Sequence, residues 1–415
     1  MQSKRPRHRI LFIAEGATLA HVSRPAVLAQ ALDASRYEIH VARPARYEFL
    51  FNQNKCQQWP LNSISSEQFL AALAAGRPVY DYETLAAYAE EDERLIANVR
   101  PDIVLGDFRL SLSVSARMTT SDRPHGVPYF AITNAYWSPY ARPTYTVPTH
   151  ASVRMLGPTI ANLGFALTRS LFFRAHTKPL NRLRKQFGMP PLPSLEAVYT
   201  DADVTLYADV PGMIPTYDLP TSHHYIGPLS WSPTTTYPSW WNTLDDTRPI
   251  IYATPGSSGD TGLLTVVIDA LKALPVSAMV ATAGRTKVVS DNPYVHVSDY
   301  LPGMEAAARS KLVICNGGSP TAAQALINGV PVLGIASNLD QYLNMGYVEK
   351  MGAGRVLRAD CLSSDSLATA VTAMLKDDSM YQRARDIGSE MQRYDAARIL
   401  DKLIVATLEK KPSEP

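Results

Sequence analysis

The chain has 415 residues, 46% hydrophobic and 19% charged, with a formal net charge of +2. That composition excludes a disordered chain, and the near-neutral charge gives no electrostatic case for nucleic acid. Cys56, Cys315 and Cys361 are odd in number and far apart, so neither a disulfide framework nor a zinc site is indicated. The length suits two domains of about 200 residues each. The basic start MQSKRPRHR is followed by a short apolar run, Ile10 to Ala14, too short for the core of a signal peptide. No stretch approaches the roughly 20 apolar residues of a spanning helix. The expected location is therefore the cytoplasm.

The first half opens with a strand, Ile10 to Ala14, a loop, a helix from Pro25 to Leu32 and a second strand, Tyr37 to Ala42. This β-α-β unit implies a parallel sheet with a right-handed crossover. His21 lies in the loop after the first strand, the edge at which open parallel sheets bind ligands. An imidazole held by a carboxylate is the natural general base. Asp107, at the end of a strand over Ile103 to Leu105, is the expected partner, and Glu15 is a rival carboxylate in the same cleft. The plainer alternatives are a capping role for Asp107 on a helix from Arg109 to Met118 and a helix-start role for His21. The acidic stretch Asp81 to Glu93 precedes Pro101 and reads as a surface helix with a solvated face. Further strands are expected at Tyr129 to Ile132 and Val204 to Leu206.

One segment has an unusual charge pattern. Arg123 to Leu195 contains no Asp or Glu, while Arg123, Arg142, Arg154, Arg169, Arg174, Lys178, Arg182, Arg184 and Lys185 fall within it. Ile160 to Phe187 interleaves these with Leu163, Phe165, Leu167, Leu171, Phe172, Phe173 and Leu180. A basic helix with an apolar face can lie on an anionic membrane. It can equally receive a lipid-like or acidic ligand, or simply line a pocket with a solvated basic edge. Residues 150–187 are thus the expected place for peripheral contact with the inner membrane face.

The boundary between halves falls after Ile226-Gly227-Pro228-Leu229, where SWSPTTTYPSWWNTLDDTRP has linker composition. The second half restarts with a strand, Pro249 to Thr254, and a turn, Pro255 to Gly259. Strands follow at Ala278 to Thr282 and Val295 to Val297. The most informative stretch is next: a strand (Leu312 to Cys315), Asn316-Gly317-Gly318, a helix, a second strand (Val330 to Ile335) and a polar loop ending in Asp340-Gln341. A strand running through glycines into a helix N-terminus builds an anion site from backbone N–H groups and the helix dipole. Thr321 and Ser319 add hydroxyl donors. Asp340 and Gln341 place an acceptor and an amide at the next strand's C-terminal edge. A diphosphate at one end and a polyhydroxyl group at the other describe a sugar nucleotide. Met380 to Leu408 is helical in pattern.

This stretch resembles the donor signature of the GT-B glycosyltransferases, in the GT1-like group of UDP-glycosyltransferases and macrolide glycosyltransferases. The family pattern is His-Gly-Gly, a Ser/Thr, an acidic residue three further on, Gly-Val-Pro and Asp-Gln. Here it stands as Asn316-Gly317-Gly318, Thr321, Gln324, Gly329-Val330-Pro331 and Asp340-Gln341. The usual His and Glu are replaced by neutral Asn316 and Gln324. Tyr300-Leu301-Pro302 resembles the family's Trp-x-Pro, and the loop around His21 resembles its Gly-His loop, with Ala20 at the usual Gly and Arg24 at a common Pro.

The resemblance implies an α/β fold of GT-B architecture, two Rossmann-like domains facing a central cleft. Residues 1–230 would bind the acceptor and 231–415 the donor, with a terminal helix of about 385–409 packing back on the first domain. Gly256, Ser257, Ser258, Asn316, Gly317, Gly318, Ser319 and Thr321 would hold the diphosphate and Gln324 the ribose. Tyr300, beside Leu301, would stack on the base, and Asp340 with Gln341 would hold the sugar. His21, oriented by Asp107, would be the catalytic base. The implied activity is inverting, metal-independent transfer of a hexose from a UDP- or TDP-sugar to an apolar, lipid-like or anionic acceptor, with no cofactor beyond that co-substrate. Asp201-Ala202-Asp203 matches the metal-binding Asp-x-Asp pattern but sits where the family often has an Asp of no metal function. The rival readings are a nucleotide-sugar epimerase on the same fold and a non-catalytic homologue that binds nucleotide sugar.

Overall fold

The computed structural model describes residues 7–51, 55–121, 123–233 and 235–409. Two parallel sheets organise it. The first holds β1 (His8–Ala14), β2 (Tyr37–Arg43), β3 (Gln57–Pro60), β4 (Ile103–Asp107), β5 (Tyr129–Thr133), β6 (Val204–Tyr207) and β7 (His223–Tyr225), in the order β3-β2-β1-β4-β5-β6-β7. The second holds β8 (Ile250–Thr254), β9 (Ser277–Ala281), β10 (Val295–Ser298), β11 (Leu312–Cys315), β12 (Val332–Ala336) and β13 (Gly354–Arg358), in the order β10-β9-β8-β11-β12-β13. The central strands are continuous apolar runs because helices cover both faces of a parallel sheet. Ile10 to Ala14 and Ile103 to Leu105 are all fully buried.

Each sheet reverses its strand order at one point, and ligand crevices form there. In the first sheet this lies between β1 and β4, where Ala14 pairs with Asp107. The loop carrying His21 and the end of β4 therefore leave the sheet side by side. In the second sheet it lies between β8 and β11, where Cys315 pairs with Thr254. That register sets the turn after Thr254 against Asn316-Gly317-Gly318.

Three short strands were not anticipated. β3 and β7 are edge strands of four and three residues, too brief to show a period. β13 reads GRVLR, where the arginines hide an apolar core of two residues. Two expected helices differ. The helix proposed for Arg109 to Met118 is regular only over Leu112–Ser115. The acidic helix runs over Tyr82–Val99 and is not simply solvated, because Leu85, Tyr88, Asp92, Leu95 and Ile96 are buried. The final helix, Ala396–Glu409, packs Leu400 and Ile404 into the apolar cluster of Ile10 and Phe12. Asp401 accepts from Tyr37 Oη at 2.7 Å.

Candidate active site

His21 lies in the helix Leu19–Ala31, one turn from its start. Thr18 is the N-cap residue, but its hydroxyl makes no capping bond. Instead Thr18 Oγ1 lies 3.2 Å from His21 Nδ1. The ring stacks on Phe108, with centroids 4.5 Å apart and planes at 7°. Burial, aided by the nearby Arg24 guanidinium, holds the imidazole well below its usual range. His21 is therefore neutral at physiological pH, with Nε2 left for a substrate.

The expected bond from Asp107 to His21 is not present. Arg24, on the buried side of the same helix, takes that carboxylate: Nε lies 2.7 Å from Asp107 Oδ2 and Nη2 donates to Oδ1 at 3.0 Å. Arg24, one turn beyond His21 and one turn before Leu28, is buried at the ends of β4 and β5, where it meets Asp107 and Asn134, and a guanidinium buried there needs a counterion. Burial raises the Asp107 carboxyl while Arg24 opposes the shift. Arg24 Nη1 also donates to Asn134 Oδ1 at 2.8 Å, and Asn134 Nδ2 donates to Asp209 at 3.0 Å.

Glu15, unlike Asp107, does not line the cleft. It is fully buried, paired with Arg109 at 2.9 Å and bonded by Ser63. Arg109 is itself sealed, with Asp92 and Glu91 also at 2.9 Å and its guanidinium 3.6 Å above the ring of Tyr88. The acidic helix thus supplies counterions to a buried arginine, which a charge pattern alone does not reveal.

The second half brings together the residues expected to hold the donor. Asn316 Nδ2 donates to Ser258 Oγ at 3.0 Å, and Gly318 N donates to Asn316 Oδ1 at 3.1 Å. Asn316 so ties the Gly256-Ser257-Ser258 turn to the second glycine turn. Gly317 has φ +80°, and a Cβ there would meet Met345 Cγ at 2.7 Å, so a larger residue is excluded. Gly318 caps the helix Ser319–Ile327, with Pro320 in its first turn. First-turn N–H groups have no intrahelical partner; Pro320 carries none, and Ser319 and Thr321 line the cleft. Gln324 Nε2 donates to the Trp231 carbonyl at 2.7 Å. Tyr300 is 55% exposed, whereas Leu301 is buried.

Asp340 and Gln341 divide their work. Asp340 Oδ1 accepts from Trp137 Nε1 at 2.8 Å and Tyr136 Oη at 3.1 Å. Both donors come from the first half, and Oδ2 is left to the cleft. Gln341 caps its own helix, its Oε1 accepting from Ser337 N at 2.8 Å. Its Nε2 is buried with no partner among the described residues. Asp201 accepts from Arg117 and Arg184, and Asp203 from Tyr129 N, so this Asp-x-Asp serves structure.

One cavity of about 890 Å3 takes in both sets. From the first half come His21, Arg24, Asp107, Phe69, Phe108, Trp137, Phe172 and Tyr199; from the second, Ser257, Tyr300, Asn316, Ser319, Thr321, Gln324 and Asp340. Arg24, Asn134, Tyr136, Trp137 and Trp231 escaped the sequence reading, because their roles depend on contacts between distant segments. Only Arg24 left a trace, as the residue that stands where the family commonly has a Pro.

Comparison with known proteins agrees with this geometry. Residues 266–406 match the family described as erythromycin biosynthesis protein CIII-like, C-terminal domain. A "PGL/p-HBAD biosynthesis glycosyltransferase" of Mycobacterium tuberculosis (strain ATCC 25177 / H37Ra) is 47% identical over 91% of this chain and 87% of its own length. The chain belongs to the GT1-type, macrolide-like glycosyltransferases. A "PGL/p-HBAD biosynthesis rhamnosyltransferase" of Mycobacterium bovis (strain BCG / Pasteur 1173P2) is likewise 47% identical, over 93% of this chain and 85% of its own. Among solved structures, "Spinosyn Rhamnosyltransferase SpnG complexed with thymidine diphosphate" superposes with a TM-score of 0.66 at 18% identity, covering 95% of this chain and 99% of that one. The fold is GT-B, and this glycosyltransferase is nucleotide-sugar dependent. No described helix is long and apolar enough to cross a membrane.

Proposed function

We propose that this glycosyltransferase moves a 6-deoxyhexose, rhamnose first among them, from a TDP-sugar to a hydroxyl of a phenolic glycolipid-type acceptor. The transfer inverts the anomeric centre and uses no metal. The observation that carries the reading is the single cavity: His21 and an aromatic wall on one side, the Asn316–Thr321 anion site and Asp340 on the other. The relatives named for PGL/p-HBAD biosynthesis and the thymidine diphosphate in SpnG support the acceptor class and the nucleotide. We assign acceptor binding to residues 1–230 and donor binding to 231–415.

In this reading Thr18 does the orienting work expected of Asp107. Nδ1–H of the neutral ring donates to Thr18 Oγ1, which fixes the tautomer and leaves the Nε2 lone pair to take the acceptor proton. The acceptor oxygen then attacks the anomeric carbon from the face opposite the leaving diphosphate. The free N–H groups at the start of helix Ser319–Ile327, with Ser319, Thr321 and Ser257, stabilise the charge that develops there. Tyr300 stacks on the base. Gln324 bonds the ribose through Oε1, since Trp231 already occupies its amide. Asp340, held by Tyr136 and Trp137, receives a sugar hydroxyl on Oδ2, and Gln341 holds its loop. Phe69, Phe108, Trp137, Phe172 and Tyr199 suit an aromatic, apolar acceptor.

A thermal-shift panel of UDP, TDP, GDP and ADP with their sugars, with and without magnesium, tests the donor side. A ligand that binds only the folded state raises its stability. TDP should shift the midpoint most, with magnesium making no difference. No shift at millimolar concentration would favour the second reading, a non-catalytic sugar-nucleotide binder, which the neutral Asn316 and Gln324 keep in view.

A further inference from the structure

The helix Ala151–Gln186 carries two apolar sides. One is used: Ala161, Phe173, Leu180 and Leu183 are buried against the protein. The other faces water. Ile160, Leu163, Leu167 and Leu171 are 60–77% exposed. Their spacing of three and four residues puts them on one side of about three turns, a row of roughly 17 Å. The same side continues as Arg174, Lys178, Arg182 and Lys185. Before the row, Met155 and Leu156 extend the exposed apolar surface beyond a break at Gly157, whose φ is +76°. Monomeric proteins rarely present so continuous an apolar strip without a partner for it.

Charge selects the partner. No Asp or Glu occurs from Arg123 to Leu195. Among the described residues, the acid that pairs with the basic row from elsewhere is Glu83, 3.7 Å from Arg182, with both side chains largely in solvent. An apolar half that can sink among acyl chains and a basic half at headgroup level together match an anionic bilayer. Phe172 and His176, on the inner side of the same turns, line the cavity.

We propose that the outward face Ile160–Lys185 docks this enzyme on an anionic lipid bilayer, setting the acceptor side of the cleft beside the surface from which a lipid-like acceptor is drawn. The second half of this proposal rests on the acceptor reading above; the docking itself does not.

The test is flotation of the full chain with vesicles of phosphatidylglycerol and phosphatidylcholine, against phosphatidylcholine alone. Two variants are compared, L163S/L167S/L171S and R174Q/K178Q/K185Q. All six residues lie outside the cavity wall, and sedimentation velocity is run on each protein. The wild type should float with anionic vesicles about tenfold more than with neutral ones, and each variant should lose most of that recovery. Equal recovery with both vesicles, no recovery at all, or unchanged binding by the variants would overturn the proposal. So would a wild-type dimer that the serine variant dissolves, which would make the face an interface between copies. Turnover of a short-chain, water-soluble phenolic acceptor should be the same in all three proteins. If the wild type floats but transfers to no acceptor, the transferase reading fails and docking stands.

Discussion

Arg24 and Arg109 are both buried guanidiniums that hold carboxylates, yet only one belongs to the cleft. Arg109 is fully enclosed by Glu15, Asp92, Glu91 and the ring of Tyr88, and touches no part of the cavity. Arg24 holds Asp107 and Asn134 at the cavity wall, near the imidazole of His21. Perturbed acids accompany both: burial raises Glu15 and Asp92 around Arg109, and Asp107 beside Arg24. Perturbation alone therefore does not mark the active site. Access to a cavity does, and Glu15, a reasonable base by sequence, fails on that ground.

The sharpest way to break this contrast is Arg109→Leu. It strands buried carboxylates, so urea unfolding should show a loss of about 3–5 kcal/mol. A loss under 1 kcal/mol would mean the cluster is no structural anchor. Arg24→Gln should act on chemistry more than on folding. Removing its positive charge raises the His21 imidazole, so the acid limb of kcat/KM moves to higher pH. In the wild type that limb should lie below 6.5, because burial and Arg24 both lower His21. A wild-type limb at or above 6.5, or one unmoved in the variant, would detach Arg24 from the base. Tyr136→Phe removes one of two donors to Asp340 Oδ1 and should weaken sugar-donor binding by about 1 kcal/mol. TDP itself should bind as before, as calorimetry can check. Tyr300→Ala should lose base stacking, a few-fold in TDP affinity or about 0.5–1.5 kcal/mol, and leave the pH profile unchanged.

The second half was far more legible in sequence than the first. Asn316-Gly317-Gly318, Thr321, Gln324 and Asp340-Gln341 are close in sequence, so one strand-turn-helix unit positions most of them. The parallel strands around them are apolar runs that announce themselves. The first half's share of the site is assembled from contacts such as Arg24 with Asp107, and is joined to the second half by Tyr136 with Asp340, partners separated by 83 and 204 residues. No local pattern encodes those. Periodicity located the helix at Leu19–Ala31 only in part, since Pro25 disguises its first turns, and His21 meets Thr18 in place of Asp107 because Arg24 holds that carboxylate. The basic segment was visible as composition, but which side its leucines face required the structure.

The proposed transfer depends above all on His21 taking the acceptor proton. The most direct measurement is His21→Ala, assayed for transfer from a TDP-sugar to a phenolic acceptor and, separately, for TDP binding by thermal shift. Turnover should fall about 10²–10⁴-fold with TDP binding unchanged. Turnover within a few-fold of wild type, with the protein folded and TDP bound, would contradict it.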